Sequence, residues 1–272
     1  MVPQPKETFM NLTRISHVML AAYGVVAFAA AADAATVWAL ESTGQVMKID
    51  SATRRAMPGF AVKGADSALM SLAVRPTDGK LYGLTAMGSL VSIDPATGMA
   101  TMLPKLDKKL EVGPRAAIKF NPVVDRLRVV GASGNNYRIN VDTGAVMVDG
   151  ALKYAPGTPL SGTAPMVTAA AYSNAMAGAK ETTLYTIDPM LAQMNTQVPP
   201  NDGVQMVKGP LGVKPDNGIG FDILSDGAGG NQGFVVTGGA LHMINLADGK
   251  ITTAGPVASL KGKEVVAAAV TK

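Results

Sequence analysis

The chain has 272 residues, of which 47% are hydrophobic and 16% charged, and its formal net charge at pH 7 is +4. Its basic residues are scattered rather than gathered in runs, so the sequence lacks the basic patch of a nucleic-acid-binding protein. The absence of cysteine excludes disulfides, thiolate metal sites and cysteine nucleophiles.

The first residues follow the three-part pattern of a secretory signal peptide. Lys6 and Arg14 precede an uncharged apolar stretch, which ends in the small residues Ala32-Asp33-Ala34, an A-x-A type cleavage site. The alternative is an uncleaved membrane anchor, for which the stretch is only marginally long enough. We expect residues 1–34 to be removed. Residues 35–272 are then an exported single domain, periplasmic or extracellular and free of the membrane.

The rest of the chain repeats one unit five times. Each copy has an apolar strand, a short turn, a second strand that ends near an Asp or Asn, a turn rich in Thr, Asp and Gly, and a third strand. In chain order, the first strands are predicted at 36–40, 81–84, 127–130, 184–187 and 234–236. The second strands are predicted at 45–50, 90–94, 137–140, 193–195 and 241–245. A repeat of about 40–50 residues is typical of one four-stranded propeller blade.

A further apolar strand precedes every copy except the first. These strands are predicted at 69–74, 116–120, 167–172 and 219–223. The missing strand is found at the far end of the chain, where 265–270 resembles 167–172. Pairing of a C-terminal strand into the first blade closes a propeller and removes exposed sheet edges.

These repeats predict an all-β fold, a five-bladed β-propeller closed by pairing of the C-terminal strand into the first blade. A β-sandwich or an open repeat array leaves the displaced last strand unexplained. We interpret the Ala-rich and Gly-rich innermost strands as a consequence of crowding at the axis. The recurring Asp or Asn before each turn is expected to hydrogen-bond the turn backbone rather than to bind metal.

The third copy carries the most distinctive motifs, 120–130 (FNPVVDRLRVV) and 136–144 (NYRINVDTG). Further motifs are Leu81-Tyr82-Gly83-Leu84, Ala169-Ala170-Ala171-Tyr172, Pro199-Pro200-Asn201-Asp202-Gly203 and Gly220-Phe221-Asp222-Ile223. In combination they resemble the bacterial family called domain of unknown function 4394, from about residue 36 to about residue 257. The resemblance implies an exported domain with propeller-like repeats, and it brings no catalytic residues with it. Where the family pattern has an Asp before Phe120, this chain has Lys119, so a role of that acid does not carry over.

Catalytic groups are scarce in the sequence. His242, between Leu241 and Met243, is the one histidine outside the predicted signal, and a lone strand histidine is usually structural. With one histidine and no cysteine, a zinc site of the usual type is nearly excluded. No nucleophile elbow, P-loop or dinucleotide fingerprint is present.

Two metals remain as alternatives. Calcium takes oxygen ligands, and acids occur in the segments 222–227 and Asp216-Asn217-Gly218, although neither matches an EF-hand and ordinary turn acids are the simpler interpretation. Copper(I) takes thioether ligands, and one repeat contains Met190, Met194 and Met206. Methionine more often fills gaps in a core.

Two groups of polar residues are candidate sites, and the first comes from alignment of the innermost strands. One set follows a bulky apolar residue in each strand and is expected at one level around the axis: Arg75, Asn121, Ser173, Asp222 and Thr271. Convergent polar groups in a channel mouth are a candidate ligand site. The alternative is an ion pair of Arg75 with Asp222 that plugs the channel. The second set lies beside the family motif and is either a site or interblade hydrogen bonding: Arg126, Arg128, Asn136 and Arg138.

The residues therefore favour a non-enzymatic module that binds a small molecule or another envelope protein. The first alternative is a calcium-dependent, lactonase-like hydrolase that uses the channel, which requires several acids to converge on the axis. The second alternative is a periplasmic copper-binding protein, which requires clustered and exposed methionines.

Overall fold

A computed structural model of the chain describes Met1 and residues 34–216 and 218–272. The predicted signal at residues 1–34 therefore lies almost wholly outside the described residues. Short 3-10 helices at Pro200–Asp202 and Ala258–Leu260 accompany an otherwise all-β domain. Its strands, in chain order, are β1 (Thr36–Glu41), β2 (Gln45–Asp50), β3 (Ala56–Ala61), β4 (Leu69–Val74), β5 (Leu81–Thr85), β6 (Leu90–Ile93), β7 (Ala100–Met102), β8 (Ala116–Asn121), β9 (Arg126–Gly131), β10 (Asn136–Asn140), β11 (Ala145–Val148), β12 (Lys153–Tyr154), β13 (Ala169–Tyr172), β14 (Leu184–Asp188), β15 (Gln193–Gln197), β16 (Val204–Pro210), β17 (Gly220–Ser225), β18 (Asn231–Thr237), β19 (Ala240–Ile244), β20 (Ile251–Pro256) and β21 (Val265–Thr271).

The strands form five small sheets, which are the blades. From the inside outwards, blade 1 is β21-β1-β2-β3, blade 2 is β4 to β7, blade 3 is β8 to β11, blade 4 is β13 to β16, and blade 5 is β17 to β20. The short strand β12 adds a parallel fifth strand to the outer edge of blade 4. Each innermost strand contacts the next around the ring, and β17 contacts β21, so the ring is closed. The predicted five-bladed β-propeller is confirmed.

The C-terminal strand completes the first blade, as predicted. Strand β21 pairs antiparallel with β1, so that Thr36 lies opposite Thr271 and Val37 lies opposite Val270. The pairing covers the inner edge of β1, which is otherwise exposed to pairing with another chain. No helix within the described part of the chain is long and apolar enough to cross a membrane.

The core lies between adjacent blades, because each blade presents apolar side chains to the next. Between blades 2 and 3, for example, Leu84, Ile118 and Phe120 are buried together. The innermost strands are crowded: a Cβ atom on Gly220 would lie only 2.8 Å from backbone atoms of blade 1. This confirms the interpretation that small residues are required near the axis.

Four of the five recurring Asp or Asn residues stabilise turns. Asp50, Asp94, Asn140 and Asn245 each accept a hydrogen bond from a backbone N–H two or three residues further along. Asn195 differs, because its strand β15 continues to Gln197 and its side chain is fully buried. Among the described residues, Asn195 Nδ2 is the one buried side-chain polar atom without a hydrogen-bond partner.

Candidate functional site

The innermost strands begin at one face of the ring, called here the back face, and end at the other, the front face. At the front end of the axis lies a cavity of about 40 Å³. Residues of all five blades line it, including Val74, Phe120, Tyr172, Asp222 and Val270. A cavity of this size has room for little more than water.

A buried ion pair crosses the axis beside this cavity. The Nζ atom of Lys119 in blade 3 lies 3.0 Å from Oδ2 of Asp222 in blade 5. It also donates a hydrogen bond of 2.6 Å to the carbonyl of Ala268 in blade 1. The Asp222 carboxylate accepts a hydrogen bond of 2.8 Å from the N–H of Val270. Burial lowers the pKa of Lys119 and raises the pKa of Asp222, while the pairing of the two charges opposes both shifts.

The strand register separates Asp222 from the other predicted axial residues. Asp222 lies opposite Phe234 and Lys119 lies opposite Arg128, while alanines occupy the equivalent places in blades 1, 2 and 4: Ala269, Ala73 and Ala171. Arg75, Asn121, Ser173 and Thr271 lie two residues nearer the front face. The inner-strand alignment is therefore offset by two residues in blade 5, and Asp222 shares its level with Lys119.

Arg75 is bound by carboxylates of blade 3 and not by Asp222. Its guanidinium lies 2.7 Å from Oδ2 of Asp125 and 2.8 Å from Oδ2 of Asp142, with three hydrogen bonds to Asp125 and two to Asp142. It also donates to the hydroxyl of Tyr82. The hydrogen bonds from Arg75 lower the pKa of Asp142. These contacts of Arg75 link blade 2 to two turns of blade 3.

Asn121 and Ser173 stabilise the turns that follow their strands. Oδ1 of Asn121 accepts a hydrogen bond of 2.9 Å from the N–H of Val123. Oγ of Ser173 accepts one of 2.9 Å from the N–H of Thr183. Neither side chain lines the axial cavity.

Three members of the second polar group form one network, which is buried except for the partly exposed Arg138. The guanidinium of Arg128 donates 2.8 Å to Oδ1 of Asn136 and 2.7 Å to Oδ1 of Asn201, and it forms an ion pair with Asp149. Arg138 binds the same Asp149 carboxylate through two hydrogen bonds of 2.8 Å. Since Asn201 belongs to blade 4, the network joins blades 3 and 4 by interblade hydrogen bonding.

Arg126 stands apart from this network. It is exposed, and its guanidinium donates to the backbone carbonyls of Val124 and Asp125. The structure therefore brings together Arg128, Asn136 and Arg138 but not Arg126.

Both ring nitrogens of His242 are engaged within blade 5. Nδ1 lies 3.1 Å from the hydroxyl of Thr253, and Nε2 lies 3.2 Å from the carbonyl of Thr237. Burial lowers the pKa of the imidazole. These contacts fit a structural histidine.

The methionines are mostly on the surface. Met194 is buried in the core between blades 4 and 5, whereas Met190 is 70% exposed and Met206 43% exposed. The interpretation as core fillers therefore holds for Met194 but not for its two companions in the repeat. The three do not form a single exposed cluster.

In the segment 222–227 considered for calcium, both acids are already engaged, and Asp222 pairs with Lys119. Asp226 accepts hydrogen bonds from the N–H groups of Ala228 and Gly230, and Asn217 lies outside the described residues. Across residues 34–216 and 218–272, no three His, Asp or Glu side chains are grouped closely enough to hold a metal ion.

The front face also has a groove of about 690 Å³ between blades 1 and 2. Its apolar lining comes from Trp38, Val74, Leu81, Ile93, Pro95 and Met99. Polar groups at the same surface come from Lys80, Ser92, Asp94, Thr101 and Thr271. The volume is typical of small-molecule sites, about 300–1,000 Å³, and so is an apolar lining with a few polar groups.

Trp38 is held in a fixed orientation in this groove. It is half-buried on β1, with its ring centroid 6.4 Å from that of Phe60 in an edge-to-face contact. The Nζ atom of Lys48 lies 5.7 Å from the Trp38 ring centroid. Sequence reasoning identified Trp38 only as a repeat position, although the single tryptophan of the chain was a signal that could have found this site.

A family model described as Domain of unknown function (DUF4394) matches residues 45–269. No curated protein matches the chain.

Three similar solved structures come from Bacteroides species. A protein of unknown function from Bacteroides caccae has 10% identity and a TM-score of 0.42, over 80% of this chain and 72% of that one. A structural genomics protein of unknown function from Bacteroides thetaiotaomicron has 14% identity and a TM-score of 0.49, over 79% of this chain and 55% of that one. An auxiliary nutrient binding protein from Bacteroides ovatus has 15% identity and a TM-score of 0.42, over 80% of this chain and 58% of that one. The chain thus spans little more than half the length of the last two.

Proposed function

The chain belongs to the family described as Domain of unknown function (DUF4394), and we propose that this member is an exported, non-enzymatic binding module with its ligand site in the groove beside Trp38. The ligand is an uncharged organic molecule with one apolar face and hydroxyl groups at its edge, the chemistry of a sugar ring. The observation that carries the proposal is the groove between blades 1 and 2, whose lining combines a half-buried tryptophan, packed against Phe60, with several polar side chains.

The charges of the groove support an uncharged ligand. Its lining contains one cation, Lys80, and one anion, Asp94. Hydrogen bonds from the N–H of Ala96 and from Thr97 lower the pKa of Asp94, so this carboxylate is ionised at neutral pH. The two charges balance, and the hydroxyls of Ser92, Thr101 and Thr271 add neutral donors and acceptors.

The predicted axial residues are a weaker candidate for the ligand site than the groove. The polar groups of Arg75, Asn121 and Asp222 already have hydrogen-bond partners within the protein. The cavity beside Asp222 holds about 40 Å³, which is too small for an organic ligand. Thr271 is the member of the predicted axial set that lines the groove.

The two alternatives have less support. A calcium-dependent hydrolase needs several acids at the axis, whereas Asp222 is the acid that lines the axial cavity and it pairs with Lys119. A copper site needs gathered thioethers, whereas Met194 is buried and Met190 is exposed. Neither alternative makes use of the groove.

The fluorescence of Trp38 provides the test, because it is the only tryptophan of the chain. We would titrate the purified protein with glucose, galactose, maltose and cellobiose. At about 0.3 kcal/mol per non-hydrogen atom, a disaccharide of about 23 such atoms binds with a Kd of about 10 μM. We expect a saturable change in fluorescence with at least one disaccharide, and weaker binding of the monosaccharides.

Two variants distinguish the groove from other surfaces. Trp38→Phe and Thr101→Val, measured by calorimetry, should weaken binding of that disaccharide at least tenfold. Tyr185→Phe, at the equivalent position of blade 4, should leave it unchanged. No saturable signal with any of the four sugars, or equal binding by all variants, overturns the proposal.

Export is a separate part of the proposal. It is supported by the pattern of residues 1–34. N-terminal sequencing of the protein from fractionated cells should give a first residue near Ala35 in the periplasm or the medium. A cytoplasmic protein that begins at Met1 contradicts it.

A further inference from the structure

We propose that a second cavity, at the outer side of the junction between blades 2 and 3, binds a single-chain carboxylate amphiphile of the fatty-acid type. The cavity of about 410 Å³ lies between the β5–β6 turn, the end of β7 and the connection from β7 to β8. It is separate from the groove beside Trp38 and does not depend on the function proposed for that groove.

Apolar side chains form one part of the wall of this cavity. They belong to Met87, Leu90, Met102, Leu103, Leu106 and Leu110. Leu90 and Leu110 are buried, whereas Met87 is 73% exposed and Met102 is 42% exposed. Exposed, flexible methionines adapt to ligands of varied shape, and exposed apolar side chains around a concavity mark binding surfaces.

The charge of the cavity has one sign. All its charged lining residues are lysines, Lys105, Lys108 and Lys109. Asp107 and Glu111, the two acids of the same connection, do not line the cavity. Asp107 accepts a hydrogen bond from the N–H of Val146, and Glu111 is exposed. None of the three lysines takes part in an ion pair within the described part of the chain. An apolar wall with unneutralised ammonium groups is complementary to an apolar chain with an anionic end.

The β7–β8 connection, which carries the three lysines, is hydrogen-bonded to blade 3. The N–H of Asp107 donates 3.0 Å to the carbonyl of Gly144, and Nζ of Lys108 donates 2.8 Å to the carbonyl of Val146. Gly144 has φ +77°, and a Cβ atom there would collide with the carbonyl of Lys105. On the other side, the N–H of Leu103 donates 2.9 Å to the carbonyl of Leu90. The cavity is therefore preformed, which reduces the ordering cost of binding.

Calorimetry with octanoate, decanoate and 1-octanol tests the proposal on the whole protein. We expect octanoate to bind at least tenfold more tightly than 1-octanol, because only octanoate meets the lysines with a charge. Decanoate should bind about tenfold more tightly than octanoate, since two more methylene groups are buried. Trp38 fluorescence should remain unchanged, because the groove lies elsewhere.

Variants locate the site. Lys105→Gln with Lys109→Gln should reduce the affinity for octanoate to that for 1-octanol, and Met87→Glu should abolish octanoate binding by repulsion. The matched control, Lys153→Gln with Lys208→Gln on blade 4, should change nothing. The proposal is overturned if octanoate and 1-octanol bind equally, if neither binds, or if the control pair has the same effect. Binding to phosphatidylglycerol vesicles without binding of decanoate also overturns it, since a membrane surface is then the partner.

Discussion

Nζ of Lys119 lies 3.0 Å from Oδ2 of Asp222, and this contact joins blade 3 to blade 5 across the axis of the ring. Both side chains are at least 90% buried, and around them the same level of the ring is filled by alanines. The pair therefore occupies the channel that a propeller otherwise leaves open to ligands.

A double-mutant cycle measures this contact. Removal of one partner leaves the other charge buried, so Lys119→Met and Asp222→Asn should each lower the free energy of unfolding by about 3 kcal/mol. The double variant should lose less than the sum by about 1–3 kcal/mol, because it leaves no unpaired charge. Urea unfolding of the wild type, the two single variants and the double variant gives the coupling energy. Strictly additive losses of unfolding free energy would mean that the two side chains do not interact.

The two arginines at positions 126 and 128 should respond very differently to the same change. Arg128→Met leaves the side-chain oxygens of Asn136 and Asn201 without their buried donor and leaves Asp149 paired with Arg138 alone, so it should cost about 3 kcal/mol. Arg126→Met removes an exposed side chain and should stay within about 0.5 kcal/mol. Thermal and urea unfolding of both variants provide the comparison. Similar losses would mean that Arg126 has a structural role that its backbone contacts do not indicate.

Closure of the ring by β21 predicts a contrast between two rearranged chains. Deletion of residues 265–272 exposes the inner edge of β1 and opens the ring, so cooperative unfolding should be lost. A circular permutant that joins Lys272 to Ala35 through a short linker should fold, because Thr36 and Thr271 are directly opposed. Its new termini would lie in the exposed turn at Gly178. Circular dichroism and gel filtration show whether each variant folds. A folded deletion variant would contradict closure of the ring by β21.

His242 should make the protein less stable below neutral pH. Burial holds the pKa of its imidazole below the ordinary 6.5, so near pH 6 the unfolded chain binds more protons than the folded one. The contribution to stability is full above pH 6.5 and is lost as pH falls through the window between the two pKa values. His242→Gln should make the unfolding free energy depend less on pH between about pH 5 and pH 7. An NMR titration that gave the imidazole a pKa above 6.5 would reverse the sign.

The sequence was sufficient for the architecture because turn chemistry and strand alternation repeat in every blade. The displaced strand at 265–270 was decisive, since only a closed ring gives it a partner. The short strand β12 was not predicted, because two residues such as Lys153 and Tyr154 leave no periodicity.

The polar sites were harder to place because they depend on register. In β17 both Phe221 and Ile223 are bulky and apolar, so the sequence alone allows two alignments of Asp222 that differ by two residues. In the sequence, Lys119 stands out only because it replaces the Asp of the family pattern. Its partner Asp222 is distant in the chain, and the two meet only because the ring brings opposite blades together.

The order of synthesis has a consequence for a chain that closes on itself in this way. Strands β1 to β3 are made before the other strands of the ring, yet their sheet acquires its innermost member only when Val265–Thr271 have emerged from the ribosome. Such a long-range pairing is slow to form, so the inner edge of β1 stays unpaired while β4 to β20 are made. A product truncated before residue 265 lacks the strand that completes its first blade, and we expect quality-control proteases to recognise it by that open edge.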